Sequence, residues 1–136
     1  MKTWKGHKIN HHFSFNQEDV EKFMEITGDK NRIHWDTTYA ATTIFKKPIL
    51  HGMLSITAFT KIFGTIFPKE GTIYLTQNNK FLKPMFAGVL YSAEIEVIEE
   101  DVEKCRLTIA TNIFEVATRS QTVAGEAQLL NKEIYQ

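Results

Sequence analysis

The chain has 136 residues, 43% of them apolar and 24% charged, with 16 Lys plus Arg against 16 Asp plus Glu. That length suits one domain over residues 1–136 with one core, burying roughly 68% of the unfolded chain's surface. Level charge argues against a nucleic-acid partner held by phosphate neutralisation, and ten Phe, four Tyr and two Trp exclude disorder.

Residues 1–15 are basic but lack the apolar stretch of a secretory signal. Within them Ile9, Phe13 and Phe15 alternate well enough for a short strand. Asn16 then offers a side-chain oxygen to the free N–H groups of a helix, with Glu18 and Asp19 in its first turn, where the helix dipole favours them. Phe15 and Val20 fit a hydrophobic staple, Phe23, Met24 and Ile26 continue the apolar stripe, and Gly28 supplies the stop. Residues 29–35 are polar and without periodicity. Asp36 is placed to cap a short second helix through Tyr39, Ala40 and Ala41.

Residues 52–67 leave only a narrow polar face, which predicts a helix enclosed by other structure. With its approach from Ile49, this stretch is broken by His51 and Lys61 and falls short of about 20 clean apolar residues, so no membrane span is expected. After Pro68 and Gly71 the period drops to two: Ile73 and Leu75, then Val89 to Val97, then Leu107 to Thr111, then a last strand over 118–130, with a turn at Glu99, Glu100 and Asp101. Such short connections have no room for crossover helices, so the sheet must be antiparallel. An antiparallel sheet wrapped around one long central helix is an α+β architecture.

Asp29 and His34 stand five residues apart on a loop that follows a helix. A carboxylate and an imidazole in one pocket can take a proton off water and place another on carbon. The same residues also suit a turn cap and a solvated histidine. Further on, Pro48-Ile49-Leu50-His51-Gly52-Met53 runs directly into the apolar helix. A glycine there lets a ligand approach free N–H groups that attract developing negative charge, or simply allows tight packing at the helix entry.

The run Thr27-Gly28-Asp29-Lys30-Asn31-Arg32-Ile33-His34, then Tyr39-Ala40-Ala41, then Pro48-Ile49-Leu50-His51-Gly52-Met53, resembles the MaoC-like, or hydratase-2, enoyl-CoA hydratases. The likeness extends more loosely through Gly71-Thr72-Ile73-Tyr74-Leu75 and Gly125-Glu126-Ala127. It implies a hot-dog fold and the (R)-specific, reversible hydration of trans-2-enoyl-CoA to (R)-3-hydroxyacyl-CoA, with no cofactor and no metal. On this resemblance Asp29 and His34 hold and activate the water, Asn31 braces their loop, and the Gly52 N–H receives the thioester oxygen. Thr60 matches a hydroxyl-bearing residue of the same pocket in some members. Arg32 departs from the pattern, which has proline there; its guanidinium is expected to meet the CoA phosphates or a nearby carboxylate.

Among the remaining residues, Phe59, Phe63 and Phe67 fall at helical spacing and are expected in the core, with Phe63 a candidate to line the acyl tunnel. Lys46, Lys47, Lys80 and Lys83 are candidates for the mouth that receives the carrier's phosphates. His7, His11 and His12 resemble a metal tract only superficially, because neighbouring strand residues face opposite ways. Cys105 is expected to be a buried thiol. As the chain's single cysteine it excludes an internal disulfide framework and a multi-cysteine zinc site, and a reducing, cytoplasmic setting is expected. The exposed edge of a small sheet calls for a homodimer. Three other readings are weighed: a (3R)-hydroxyacyl-ACP dehydratase, a hot-dog thioesterase, and a non-catalytic acyl-CoA-binding protein.

Overall fold

The computed structural model describes residues 2–136. Five strands form a single sheet in the order β1 (Lys8–Phe13), β3 (Tyr91–Asp101), β4 (Arg106–Glu115), β5 (Gln121–Leu130) and β2 (Ile73–Phe81). Every neighbouring pair is antiparallel. Between β1 and β2 lie α1 (Gln17–Thr27), a 3₁₀ turn (Arg32–His34), α2 (Thr37–Ala41), and then α3 (Gly52–Ser55), α4 (Thr57–Lys61) and a π-helical turn (Ile62–Ile66) in succession. The last three form the central helix.

The core lies between that helix and one face of the sheet. Leu54, Ala58, Phe59, Ile62 and Phe63 from the helix pack with Ala93, Ile95, Val97, Leu107, Ile109, Ile113, Val123, Ala127 and Leu129 from the strands. In β3 and β4 the period-two pattern of the sequence is therefore the pattern of residues that face the helix, whereas Ile73 and Leu75, which also alternate, are exposed on β2. Phe59 is fully enclosed, and its truncation to alanine would cost about 3–5 kcal/mol.

Local caps fix the helices that lead to the site. Asn16 accepts from the Asp19 N–H while the Asp19 carboxylate accepts from the Asn16 N–H, a reciprocal box that goes beyond the dipole effect expected of Asp19. Asp36 caps α2 through the Tyr39 N–H, as its position suggests.

Four details depart from the sequence reading. The central helix is irregular, breaking at Ile56 and widening to a π turn after Lys61, and its outward side is wider than the expected polar face of Thr57, Thr60 and Lys61, since Met53 is 62% exposed. Glu99, Glu100 and Asp101 are the end of β3, carried past the expected turn by an irregularity in register after Val97; the chain reverses over residues 102–105. Cys105 sits in that turn, half-buried and at positive φ, instead of within a strand. The last strand begins at Gln121, because Arg119 adopts positive φ and its N–H closes a turn onto the Glu115 carbonyl.

Candidate active site

The site starts where α1 stops. Gly28 takes a left-handed conformation (φ 76°), and its N–H bonds to the Met24 carbonyl, turning the chain sharply out of the helix. The Asp29 carboxylate then accepts from the Asn31 N–H at 3.1 Å, and the Asn31 side chain accepts from the Ile33 N–H at 3.2 Å. Two successive side-chain-to-backbone turns thus wind residues 29–33 into the 3₁₀ turn that delivers His34. Asn31 is the cap of that turn. This is how a segment without periodicity becomes rigid.

His34 is held from the other side by the segment that precedes the central helix. Its Nδ1 lies 2.8 Å from the Ile49 carbonyl oxygen, and the Ile49 N–H donates to the Ile33 carbonyl at 3.1 Å. A carbonyl can only accept, so the Nδ1 carries the hydrogen and the Nε2 of the neutral ring keeps its lone pair. That Nε2 stands 3.9 Å from Asp29 Oδ2. The separation is too long for a hydrogen bond and suits a bridging water. Asp29 is half exposed while the His34 side chain is only 11% exposed.

A second imidazole completes the cluster. His51 is stacked on His34 with ring centroids 3.7 Å apart, and its Nε2 lies 3.1 Å from the Asp29 carbonyl oxygen. The sequence carries it inside the motif, directly before Gly52, yet that position gave no reason to assign it a role. Burial, reinforced by the neighbouring His34, pushes its pKa below the ordinary value, although the bond to Asp29 opposes the shift. Among the described residues, Asp29, His34 and His51 form the one trio whose ligand-type atoms gather closely enough for a cation, within 4.8 Å. In the tautomer set by the Asp29 carbonyl, His51 Nε2 bears a hydrogen and offers no lone pair. A cation would have to displace that bond.

Gly52 opens α3, so its N–H has no partner within the helix. A Cβ placed there would lie 3.0–3.3 Å from three carbons of the Phe81 ring, so side chains larger than hydrogen force that ring aside. Gly52 also borders a cleft of about 610 Å³ lined by Phe45, Ile49, Met53, Phe81, Leu82 and Met85, among others. The cleft is largely apolar, as an acyl chain requires.

The other candidate residues lie at different distances from this centre. Thr60 lines a smaller depression with Ile56, Thr57, Tyr74 and Gln77, which shares only Met53 with the Gly52 cleft. Phe63 is buried in the core, edge-on to Tyr74 at 5.4 Å, and lines neither cavity. Of the two partners expected for Arg32, the structure supplies the carboxylate: its Nε bonds to Asp36 at 3.1 Å and its guanidinium lies over the Tyr39 ring. Lys83 borders the cleft and donates to Ser120, while Lys47 sits over the Phe86 ring. His7 packs against Trp4 and Phe67, away from His11 and His12 on β1.

An antiparallel sheet around a central helix, with Asp29 and His34 brought together at its N-terminal approach, defines a hot-dog protein. The chain matches the MaoC like domain family over residues 2–118 and belongs to that family. It is 37% identical over 122 residues to the (R)-specific enoyl-CoA hydratase of Aeromonas caviae, covering 90% of each chain. To the (R)-specific enoyl-CoA hydratase of Rhodospirillum rubrum it is 32% identical, covering 86% of this chain and 80% of the other. Among solved structures it resembles the unliganded R-hydratase of Pseudomonas aeruginosa with a TM-score of 0.88 at 38% identity, covering 95% of this chain and 82% of that one. The A. caviae (R)-hydratase superposes with a TM-score of 0.90 at 35% identity, covering 96% and 98%. A mitochondrial 3-hydroxyacyl-[acyl-carrier-protein] dehydratase of Arabidopsis thaliana is more distant, at 28% identity, covering 83% of this chain and 68% of the other.

Proposed function

We propose that the protein is an (R)-specific enoyl-CoA hydratase, a hydro-lyase that interconverts trans-2-enoyl-CoA and (R)-3-hydroxyacyl-CoA. The observation that carries this reading is the pair of Asp29 Oδ2 and the free lone pair of His34 Nε2, 3.9 Å apart. Relatives named for this reaction, similar over most of their length, support it. A water held between the two groups gives up a proton to one of them as its oxygen bonds to C3 of the enoyl chain. The C2–C3 π electrons move toward the thioester, whose oxygen gains enolate charge beside the Gly52 N–H. Reprotonation at C2 restores the thioester, so water has been added and nothing oxidised. The reaction needs neither cofactor nor metal, because each proton and charge has a protein group to receive it.

One domain carries the whole site on this reading, and the chain works as a cytoplasmic homodimer in fatty-acid metabolism. No helix is long and apolar enough to cross a membrane among the described residues. The dimer reading draws on β2, an edge strand that exposes Ile73, Tyr74, Leu75 and Phe81. A long apolar edge is a template for pairing, and a second copy of the chain is its simplest cover. The opposite edge, β1, is shorter and carries Lys8, Asn10 and two histidines.

The test is turnover of crotonyl-CoA and longer enoyl-CoAs, followed by loss of the enoyl-thioester absorbance and coupled to an (R)- or an (S)-specific dehydrogenase. Signal with the (R)-specific enzyme alone supports the proposal. Turnover of acyl-ACP thioesters in preference to CoA thioesters would assign the protein to the dehydratases instead. Saturable acyl-CoA binding with no change in absorbance would make it a binding protein.

A further inference from the structure

The mechanism above leaves His51 without a task, yet its surroundings are unusual for a core residue. The side chain is 3% exposed, stacked on His34 at 3.7 Å with the planes inclined by 25°, and met edge-on by Phe23 of α1 at 4.9 Å. Its Nε2 donates to the Asp29 carbonyl at 3.1 Å. The Nδ1 is therefore an acceptor, and it is buried with no partner. A phenyl ring would fill the same space without stranding a polar atom, so as packing alone an imidazole is the worse choice.

The two stacked rings also carry opposite tautomers. His34 holds its hydrogen on Nδ1, facing Ile49, and His51 holds its hydrogen on Nε2, facing Asp29. Each member of the Asp29–His34 pair is thus tied to the three-residue segment that leads into Gly52: His34 through a main-chain carbonyl, Asp29 through the His51 side chain. We propose that His51 is a positioning residue for the hydration reaction, its Nε2–H holding the Asp29 main chain and its face supporting the His34 ring, so that this one side chain sets the spacing between the carboxylate and the base nitrogen. The titratable groups facing it are Asp29, from the loop after α1, and His34, from the 3₁₀ turn; Phe23 contributes only an apolar ring.

This inference rests on the hydratase reading for its kinetic test but not for its spectroscopic one. Two variants separate the donor from the ring. His51→Gln puts an amide N–H close to the place of Nε2 but removes the aromatic face, whereas His51→Phe keeps a ring and removes the donor. If His51 positions Asp29, His51→Phe lowers kcat by a factor on the order of 10–100 with KM within about twofold, and His51→Gln recovers a substantial part of that loss. A side chain that only fills space gives the reverse order, with Phe tolerated better than Gln, and that order overturns the proposal. Long-range ¹H–¹⁵N spectra of the unliganded wild-type protein supply the second readout. The neutral Nε2–H tautomer of His51, still dominant at pH 6.5 where an ordinary imidazole is half protonated, is the expected result. An Nδ1–H tautomer would overturn the proposal whether or not the protein turns over enoyl-CoA.

Discussion

The Nδ1 of His34 and the carbonyl oxygen of Ile49 are 2.8 Å apart across fifteen residues of sequence. That one bond selects the tautomer of His34, fixes the plane of its ring and leaves a lone pair on its other nitrogen, which the proposed reaction uses as a base. Function and local stability are therefore separable at this residue. In His34→Asn the amide N–H can still reach Ile49, but no nitrogen occupies the place of Nε2. We expect hydration to fall by about 10²–10⁴-fold while the unfolding midpoint stays near that of the wild type. His34→Ala should lose the same activity and, in addition, about 1 kcal/mol of stability as the Ile49 carbonyl loses its partner. Thermal unfolding alongside the enoyl-CoA assay checks both.

Gly52 is required for space. Its alanine variant sets a methyl group 3.0 Å from the Phe81 ring, which is half exposed and can swing away. The protein should fold, with a stability change of about 1–3 kcal/mol at most. The displaced ring then intrudes on the cleft that both residues line, and it crowds the N–H proposed to receive the thioester oxygen. The expected result is a loss in kcat of about 10²-fold or more, measured on variant protein shown to be folded by circular dichroism.

Arg32 stands where the family pattern has proline, and the structure shows why the exchange is tolerated. It is the first residue of the 3₁₀ turn, where proline is also at home, and the ψ of 127° at Asn31 before it lies outside the α region that a following proline disfavours. The guanidinium is committed to Asp36 and Tyr39. Arg32→Pro gains about 0.4–1 kcal/mol from a stiffer unfolded chain and loses a solvent-screened ion pair to Asp36 together with the contact on the Tyr39 ring. The near-cancellation predicts unchanged stability and turnover within about twofold of the wild type. A large rise in KM for acyl-CoA in Arg32→Ala would instead show that the guanidinium reaches the carrier.

Stability should fall on mild acidification. Burial holds the pKa of His51 below the ordinary 6.5, and burial together with Lys61 does the same for His11. Both groups bind protons more readily in the unfolded chain, so their contribution is intact above pH 6.5 and is lost as pH falls through their folded-state values. Unfolding midpoints measured from pH 8 to pH 5 should decline below about pH 6.5, and His51→Phe should show a shallower decline than the wild type. An equal slope in the two proteins would mean that His51 does not titrate in this range.

The parts of the fold that depend on local chemistry were legible in the sequence. Asn16, Gly28 and Asp36 announce helix ends because capping and left-handed turns are decided within a few residues. β3 and β4 were legible because alternation records which side of a strand is buried, while Ile73 and Leu75 of β2 alternate and yet stay exposed. What escaped was set by contacts far apart in the chain. β3 outruns its expected turn because Glu99 to Asp101 pair with Thr108 to Arg106. The outward side of the central helix takes in Met53 beside the polar Thr57 and Thr60, and the sequence does not show it because an apolar residue carries no label for a surface left free. Asp29, His34 and Gly52 could be proposed from residue type and spacing, and a carboxylate four residues on is a local partner for Arg32, but nothing local shows that His51 stacks on His34. Phe63, a candidate for the tunnel on spacing alone, is committed to the core.

On the proposed reaction, Asp29 and His34 together add water to an enoyl thioester. The most direct measurement is the initial rate of crotonyl-CoA hydration by the wild type, Asp29→Asn and His34→Asn at equal concentrations of folded protein. We expect brisk wild-type turnover to the (R)-alcohol and a loss of about 10²-fold or more in each variant, with the double variant little worse than either single one because the pair acts as a unit. Turnover that survives in either variant, or a folded wild-type protein inert toward both CoA and ACP enoyl thioesters, would contradict it.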